Sequence, residues 1–106
     1  MSFNNDVYDI VRIIPYGRVT TYGALAKYLV DNSASRRVGW ALNSSFRIEP
    51  EVPAHRVVNR NGMLSGAMHF PPDRPMAQIL KEEGVDVENG QVVEFNRVFW
   101  NPMTEL

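Results

Sequence analysis

The chemistry open to this chain is set first by a missing residue type. None of its 106 residues is a cysteine. That removes disulfides, thiolate zinc sites and thiol nucleophiles together. Histidine occurs twice, as His55 and His69, too few to expect a structural metal site. What remains is a biased set of charges. From Arg12 to Arg60 stand eight basic residues (Arg12, Arg18, Lys27, Arg36, Arg37, Arg47, Arg56 and Arg60) against three acids, Asp31, Glu49 and Glu51. The rest of the chain carries three basic and nine acidic residues, although the net charge is only −1. A local basic zone can bind phosphates even when the whole protein is slightly acidic. An unevenly charged solvated surface would give the same count.

The elements that must hold these residues read mainly as short helices. Phe3, Val7, Ile10, Val11 and Ile14 recur at helical spacing, so Phe3 to Ile14 is expected to be a helix ended by Pro15-Tyr16-Gly17. Thr21 is a good N-cap for a second helix, Tyr22 to about Val30, with Leu25, Ala26 and Leu29 inward. After the turn at Asp31-Asn32-Ser33 a third helix is expected from about Ser35 to Ser45, burying Val38, Ala41 and Leu42. Two short helices joined by a tight turn form a helix-turn-helix pattern, with SRRVGWALNSS as the reader helix; such pairs also occur as packing units. Beyond Pro50, Asn61-Gly62 signals a hairpin with Met63 to Ser65 returning, and Ala67 to Pro72 reads as a loop. Pro75 to Glu83 is a fourth helix stopped by Gly84, Asn89-Gly90 turns a second hairpin, and Val92 to Phe95 is its strand. Val98-Phe99-Trp100 is an apolar anchor.

Four segments, in order, resemble the catalytic domain of the O6-alkylguanine-DNA alkyltransferases. IPYGRVTTYGALA (Ile14 to Ala26) is similar to its helix-turn-helix entry, and SRRVG-W-A (Ser35 to Ala41) to its recognition helix with an arginine finger. VPAHRVV (Val52 to Val58) stands against the family's Pro-Cys-His-Arg-Val, and LKEEGV (Leu80 to Val85) against its closing helix. Ala54 occupies the place of the acceptor cysteine. A thiolate is both nucleophilic and ionisable near neutral pH, whereas alanine has no lone pair, so no alkyl group can be transferred to it. The chain therefore resembles the alkyltransferase-like members, and its tail FNRVFWNP (Phe95 to Pro102) looks like theirs.

The resemblance implies a small α/β fold, winged-helix-like, with a helix-turn-helix and short β-hairpins, as one domain over residues 1–106. It implies DNA contacts by Arg36 as the finger, Tyr22 as the residue that rotates the 3′ phosphate, and Arg37, with Gly39 and Ala41 allowing close approach to the minor groove. A lesion pocket is implied from Val52, Pro53, Ala54 and Met63, with Ser65, Gly66, Ala67 and Met68 along its loop wall. Ala67-Met68 departs from the transferase pattern, and alanine for cysteine is expected to leave more room for the O6 substituent. His55 and Glu83 are the remnant of the relay that activates the thiol, leaving no catalytic residue; Arg56 is expected to hold loops, and His69 to be a surface loop residue.

The function this implies is non-enzymatic damage sensing: binding and flipping of O6-alkylguanine in double-stranded DNA, shielding it, and marking it for nucleotide excision repair through that pathway's damage-recognition proteins. No cofactor or metal is implied, and a monomer is expected. The N-terminal sequence lacks a signal-peptide pattern and no apolar run reaches the roughly 18 residues that span a bilayer, so a cytoplasmic, nucleoid-associated location is expected, or a nuclear one in a eukaryote. Two alternatives stand beside this reading: a Cys-to-Ala variant of an active alkyltransferase, and a helix-turn-helix transcription regulator.

Overall fold

The first helix forms where the apolar spacing places it. In the computed structural model, which describes residues 2–106, α1 spans Phe3–Ile13 and buries Val7, Tyr8, Ile10 and Val11. Ser2 caps it by accepting the Asn5 N–H. The Tyr8 hydroxyl donates to the Ala41 carbonyl at 2.8 Å in the interior, tying α1 to the third helix. After α1 the chain turns at Gly17, whose φ is +82°. A Cβ there would also lie 3.3 Å from the Glu83 carbonyl oxygen, so both conformation and space favour glycine.

A two-residue strand, β1 (Thr20–Thr21), runs straight into α2 (Tyr22–Leu29). Thr21 is the N-cap, accepting the Ala24 N–H at 3.0 Å. A 3-10 turn at Asn32–Ala34 then leads into α3 (Ser35–Asn43), which buries Val38, Ala41 and Leu42. The three helices close the first part of the core, joined from the far end of the chain by Trp100. Full burial of each large aliphatic or aromatic side chain contributes about 1.5–3 kcal/mol, so this cluster is what fixes the angle between α2 and α3.

The second part of the core lies under α4 (Met76–Glu82) and a hairpin made of β3 (Val87–Glu88) and β4 (Gln91–Val92). Helix α4 ends in a Schellman motif: Gly84, at φ +88°, donates to Lys81, and Val85 donates to Leu80. Leu80 and Val85 are both fully buried, the apolar contact that accompanies this motif. Its importance is positional, because the C-cap residue is Glu83. The Asn89-Gly90 turn has both central residues at positive φ, the type I′ geometry that matches strand twist.

The sheet differs from the expectation in three places. β1 pairs in parallel with β2 (Val57–Val58), Thr20 opposite Val57 and Thr21 opposite Val58, so the segment after Pro53 returns beside the entry to α2. The Asn61-Gly62 turn forms, with the Asn59 side chain accepting the N–H groups of Asn61 and Met63. Its return segment is no strand, however: Met63 bridges to Gln91, and Leu64 donates to Gly90. Finally, Val92 to Phe95 is not one strand. Glu94 sits in the left-handed region at φ +53°, breaks the ladder after Val92, and starts α5 (Phe95–Val98).

The tail is anchored twice. Trp100 donates to the Val19 carbonyl at 2.7 Å and its indole is 3 % exposed. Arg18 donates to the carbonyls of Val98 and Phe99 and to Glu105 in α6 (Pro102–Glu105). The expected loop from Ala67 to Pro72 contains a 3-10 turn, Ala67–His69.

Candidate nucleic-acid interface

The segment of greatest chemical interest is a single 3-10 turn, Ala54–Arg56, placed by Pro53 before it and by the β1–β2 pairing after it. Such a turn has three residues per revolution, so consecutive side chains leave it about 120° apart. Ala54 and His55 therefore face different surroundings although they are neighbours in sequence.

On one side lies a buried polar node. His55 Nε2 is 2.7 Å from Glu83 Oε2. The Arg56 guanidinium grips the same carboxylate at two points, Nε to Oε1 and Nη2 to Oε2, each at 2.9 Å, and its Nη1 donates to the Ile14 carbonyl. Burial alone would raise the Glu83 carboxyl, but the hydrogen bonds from Arg56 and His55 outweigh it and hold the group below its ordinary range. Burial also lowers His55, and the nearby Glu83 carboxylate opposes this without cancelling it. The node at neutral pH is thus a neutral imidazole and an arginine sharing one carboxylate.

On the other side Ala54, 7 % exposed, joins Tyr22, Leu42, Val57, Phe70 and Met76 around an inner cavity of about 10 Å³. That is room for one water at most. Asn43, Phe46, Gly66 and His69 complete its outer wall. Phe46 and Phe70 meet edge to face, ring centroids 4.9 Å apart. Beyond that pair a second cavity of about 180 Å³ lies toward Ser45, Glu51 and Arg74.

The inner cavity opens outward into a groove of about 390 Å³ that shares Tyr22, Asn43, Gly66 and His69 with it. The groove's rim on α3 is Ser35, Arg36, Gly39, Trp40 and Asn43. Tyr22 stands in the middle, at the start of α2. A Cβ on Gly39 would meet its ring at 3.9 Å, and one on Gly66 would come within 3.2 Å of its hydroxyl. Gly66 is therefore the position where a side chain would crowd the tyrosine. The Ser65 hydroxyl is 3.5 Å from the Tyr22 hydroxyl, too long to hold the ring firmly. A second hollow on the other flank of Tyr22 is lined by Ser35, Arg60 and Asn61.

A tyrosine ring between two glycines, an exposed arginine beside it and a small apolar cavity behind it are what a nucleotide-flipping site requires. Comparison with known proteins decides the matter. The family model for the DNA-binding domain of 6-O-methylguanine DNA methyltransferase matches residues 2–85. Alkyltransferase-like protein 1 of Schizosaccharomyces pombe is 36 % identical over 105 residues, 95 % of this chain and 96 % of that one. The chain belongs to this family, in its alkyltransferase-like branch. The DNA base-flipping protein of Escherichia coli is 40 % identical over 103 residues, covering 94 % of this chain and 75 % of that one. Among solved structures, S. pombe Atl1 in complex with damaged DNA containing O6-carboxymethylguanine superposes with a TM-score of 0.77 at 34 % identity, over 94 % of this chain and 95 % of that one. The DNA complex of Mycobacterium tuberculosis OGT gives 0.62 at 30 % identity, over 78 % of this chain and 50 % of that one.

In this alkyltransferase-like protein no cysteine exists and Ala54 stands at the acceptor position, so it transfers no alkyl group. Its polar node persists intact beside that alanine. Of the expected pocket residues, Ala54 and Gly66 line the inner cavity and Ser65 the groove. The others face elsewhere. Val52 lies on the cavity beyond Phe46, and Pro53 on a surface hollow with His55 and Arg56. The Met63 backbone bridges to Gln91, and the residue lines neither the cavity nor the groove. Ala67 is exposed, and Met68 is 84 % exposed, neither of them lining the cavity or the groove. The cavity at Ala54 is small, about 10 Å³.

Of the expected DNA contacts, Tyr22, Arg36 and Gly39 share the groove. Ala41, at 1 % exposure, packs against α1 and cannot meet a groove. Arg37 lies over the Phe3 ring at 4.2 Å, off the groove rim. The basic zone is also thinner than its count: Arg12, Arg18 and Arg56 are spent on hydrogen bonds within the chain. Residues not anticipated are Trp40 and Asn43, which share the Arg36 face of α3 at helical spacing, and Phe46, Phe70 and Met76, which come from distant segments. His69 is exposed as expected, yet it borders both cavity and groove. Arg56 holds the loops together as expected.

Proposed function

We propose that this protein is a non-enzymatic sensor of O6-alkylguanine in duplex DNA. Arg36 enters the base stack as the damaged nucleotide leaves it, Tyr22 rotates the phosphate, and the base is held over Ala54. Nothing at that position accepts the alkyl group, so the lesion stays bound and shielded. A protein that holds damage without correcting it has use only as a marker, which supports a hand-over to nucleotide excision repair through that pathway's damage-recognition proteins. One chain carries the whole groove and pocket, which supports action as a monomer, in the compartment that holds genomic DNA: the cytoplasm and nucleoid, or the nucleus of a eukaryote.

The observation that carries this reading is the conjunction at one turn: Ala54 closes a cavity that opens onto Tyr22 and Arg36, while the node behind it has no group to activate. The cavity of about 10 Å³ holds no purine. Leu42, Val57 and Met76 are core residues, so entry of the base displaces the outer wall at Asn43, Phe46, Gly66 and His69. The energy of lesion contacts must therefore offset both unstacking, a few kcal/mol, and this opening.

The test is a pair of titrations at one stated salt concentration, with matched duplexes differing only in one O6-methylguanine. Tighter binding to the modified duplex, with protein mass unchanged after long incubation, is expected. A gain of one methyl group on any residue would make it a transferase. Binding that depends on base sequence and ignores alkylation would make it a regulator.

A further inference from the structure

The chain has two tryptophans in opposite situations. Trp100 is 3 % exposed in the core, whereas Trp40 is 61 % exposed on α3. A single exposed apolar residue needs no explanation by itself. Trp40 is different because of its place. It stands four residues after Arg36 and three before Asn43, hence on the same helix face, and all three border the groove beside Tyr22. Among the described residues, none of the ring–ring or cation–ring contacts involves its indole. A rigid aromatic thus projects, unpartnered, from the rim of the surface that the sensor reading turns toward DNA.

We propose that Trp40 is a minor-groove wedge. This rests on the sensor reading, in which the Arg36 face of α3 meets the duplex. Four helical residues advance about 6 Å, so the indole meets the groove on the order of two base steps from the one Arg36 enters. Minor-groove walls are deoxyribose rings, and apolar side chains inserted there hold a bent, widened groove. An indole can lay its edge against those sugars while its one N–H faces the acceptors on the base edges, which every base pair presents. The contact carries no charge and reads no alkyl group. It therefore adds to affinity for any duplex, modified or plain, without releasing counterions. Arg36 confers lesion preference, and Trp40 supplies a lesion-independent grip beside it.

Tryptophan emission tests this directly, because Trp100 is shielded and supplies a constant background. The whole protein is titrated with plain and O6-methylguanine duplexes at several salt concentrations, together with Trp40→Ala and Trp40→Phe. The expected result is a change in emission that saturates with both duplexes and disappears in Trp40→Phe. Trp40→Ala should weaken both complexes about tenfold, as loss of one aromatic contact does. The ratio of lesion to plain affinity and the salt slope should stay as they were, and Trp40→Phe should recover most of the loss. Since the side chain is exposed, the melting temperature of either variant serves as a control for folding. Unchanged emission at saturation overturns the proposal, as does Trp40→Ala binding like the parent, a loss confined to the lesion duplex, or a shallower salt slope. The two readings fail separately: absence of lesion preference in the parent protein removes the sensor and leaves the wedge, whereas silent emission removes only the wedge.

Discussion

The two sides of the Ala54–Arg56 turn differ in how completely their polar atoms are used. On the inner side a single carboxylate, Glu83, receives His55 and two points of Arg56, and Arg56 goes on to the carbonyl of Ile14. On the outer side Tyr22 and Ser65 are linked by one contact at 3.5 Å, and Arg36 and Trp40 stand free on the groove rim. The inner side thus joins α1, the turn and the end of α4 through one shared carboxylate. The outer side has donors and rings to offer and little that holds them. On the sensor reading, loss of a thiol between the two would end transfer chemistry yet leave both intact, because stability draws on the inner atoms and the proposed DNA contacts are the outer ones.

The largest expected effect comes from emptying the inner side. Glu83→Ala leaves Arg56 and His55 without their shared partner in the interior, and breaking a buried pair in this way typically costs about 3–5 kcal/mol. Urea unfolding should show that loss in full. The folded fraction should still prefer the lesion duplex. Near-normal stability combined with lost lesion preference would mean that the node belongs to recognition, and the division between the two sides would collapse.

Arg36→Ala should do the reverse. A finger compensates unstacking worth a few kcal/mol, so lesion affinity should fall by about ten- to a hundredfold, plain-duplex affinity by only about threefold, and stability hardly at all. Equal losses on both duplexes would reduce Arg36 to a phosphate contact. Ala54→Cys probes the boundary itself. It places a thiol one residue before His55, whose Nε2 is already 2.7 Å from Glu83. The His55–Glu83 link is in place, but the cavity is only about 10 Å³ and attack tolerates misplacement of only about an angstrom. Single-turnover transfer of a labelled methyl group should therefore be slow and partial. Transfer at the speed of a working transferase would show that the outer wall adapts fully to the base.

How much of this was legible depended on the range of the interactions involved. The helices α1 to α4 could be read because their apolar period, the Thr21 cap and the Gly84 stop act over a few residues. The His55–Glu83 link followed from the family resemblance, and the bond is present. Strands of two residues carry no period, so the parallel pairing of Thr20-Thr21 with Val57-Val58 left no local signal. The pocket suffered most. Val52 and Pro53 adjoin Ala54 in sequence but precede the 3-10 turn and line other hollows, a placement that only the tertiary fold decides. Phe46, Phe70 and Met76 reach the cavity only through tertiary folding. Trp40 and Asn43 were within reach of the sequence, since both follow Arg36 at helical spacing.

Acid should produce the smallest effect, confined to the inner side. Burial lowers His55, so the folded protein holds the imidazole neutral where the unfolded chain would bind a proton. The resulting stability is complete above the ordinary histidine value of about 6.5 and declines as pH falls below it. Glu83 acts in the same direction further down: burial would raise its carboxyl, but Arg56 and His55 hold it lower, so its contribution is complete above the ordinary glutamate value of about 4.3 and is lost as pH falls toward the folded value. Melting curves should therefore be level at neutral pH and show a fall in two stages. His55→Gln, which keeps a donor near Glu83 but cannot titrate, should remove the upper stage and leave the lower one. Stability that rises between pH 7 and pH 6 would mean that His55 is charged in the fold and that the node is an ion triad. In that case proton binding at His55 would strengthen the inner side, and the order of the two stages could not be as described.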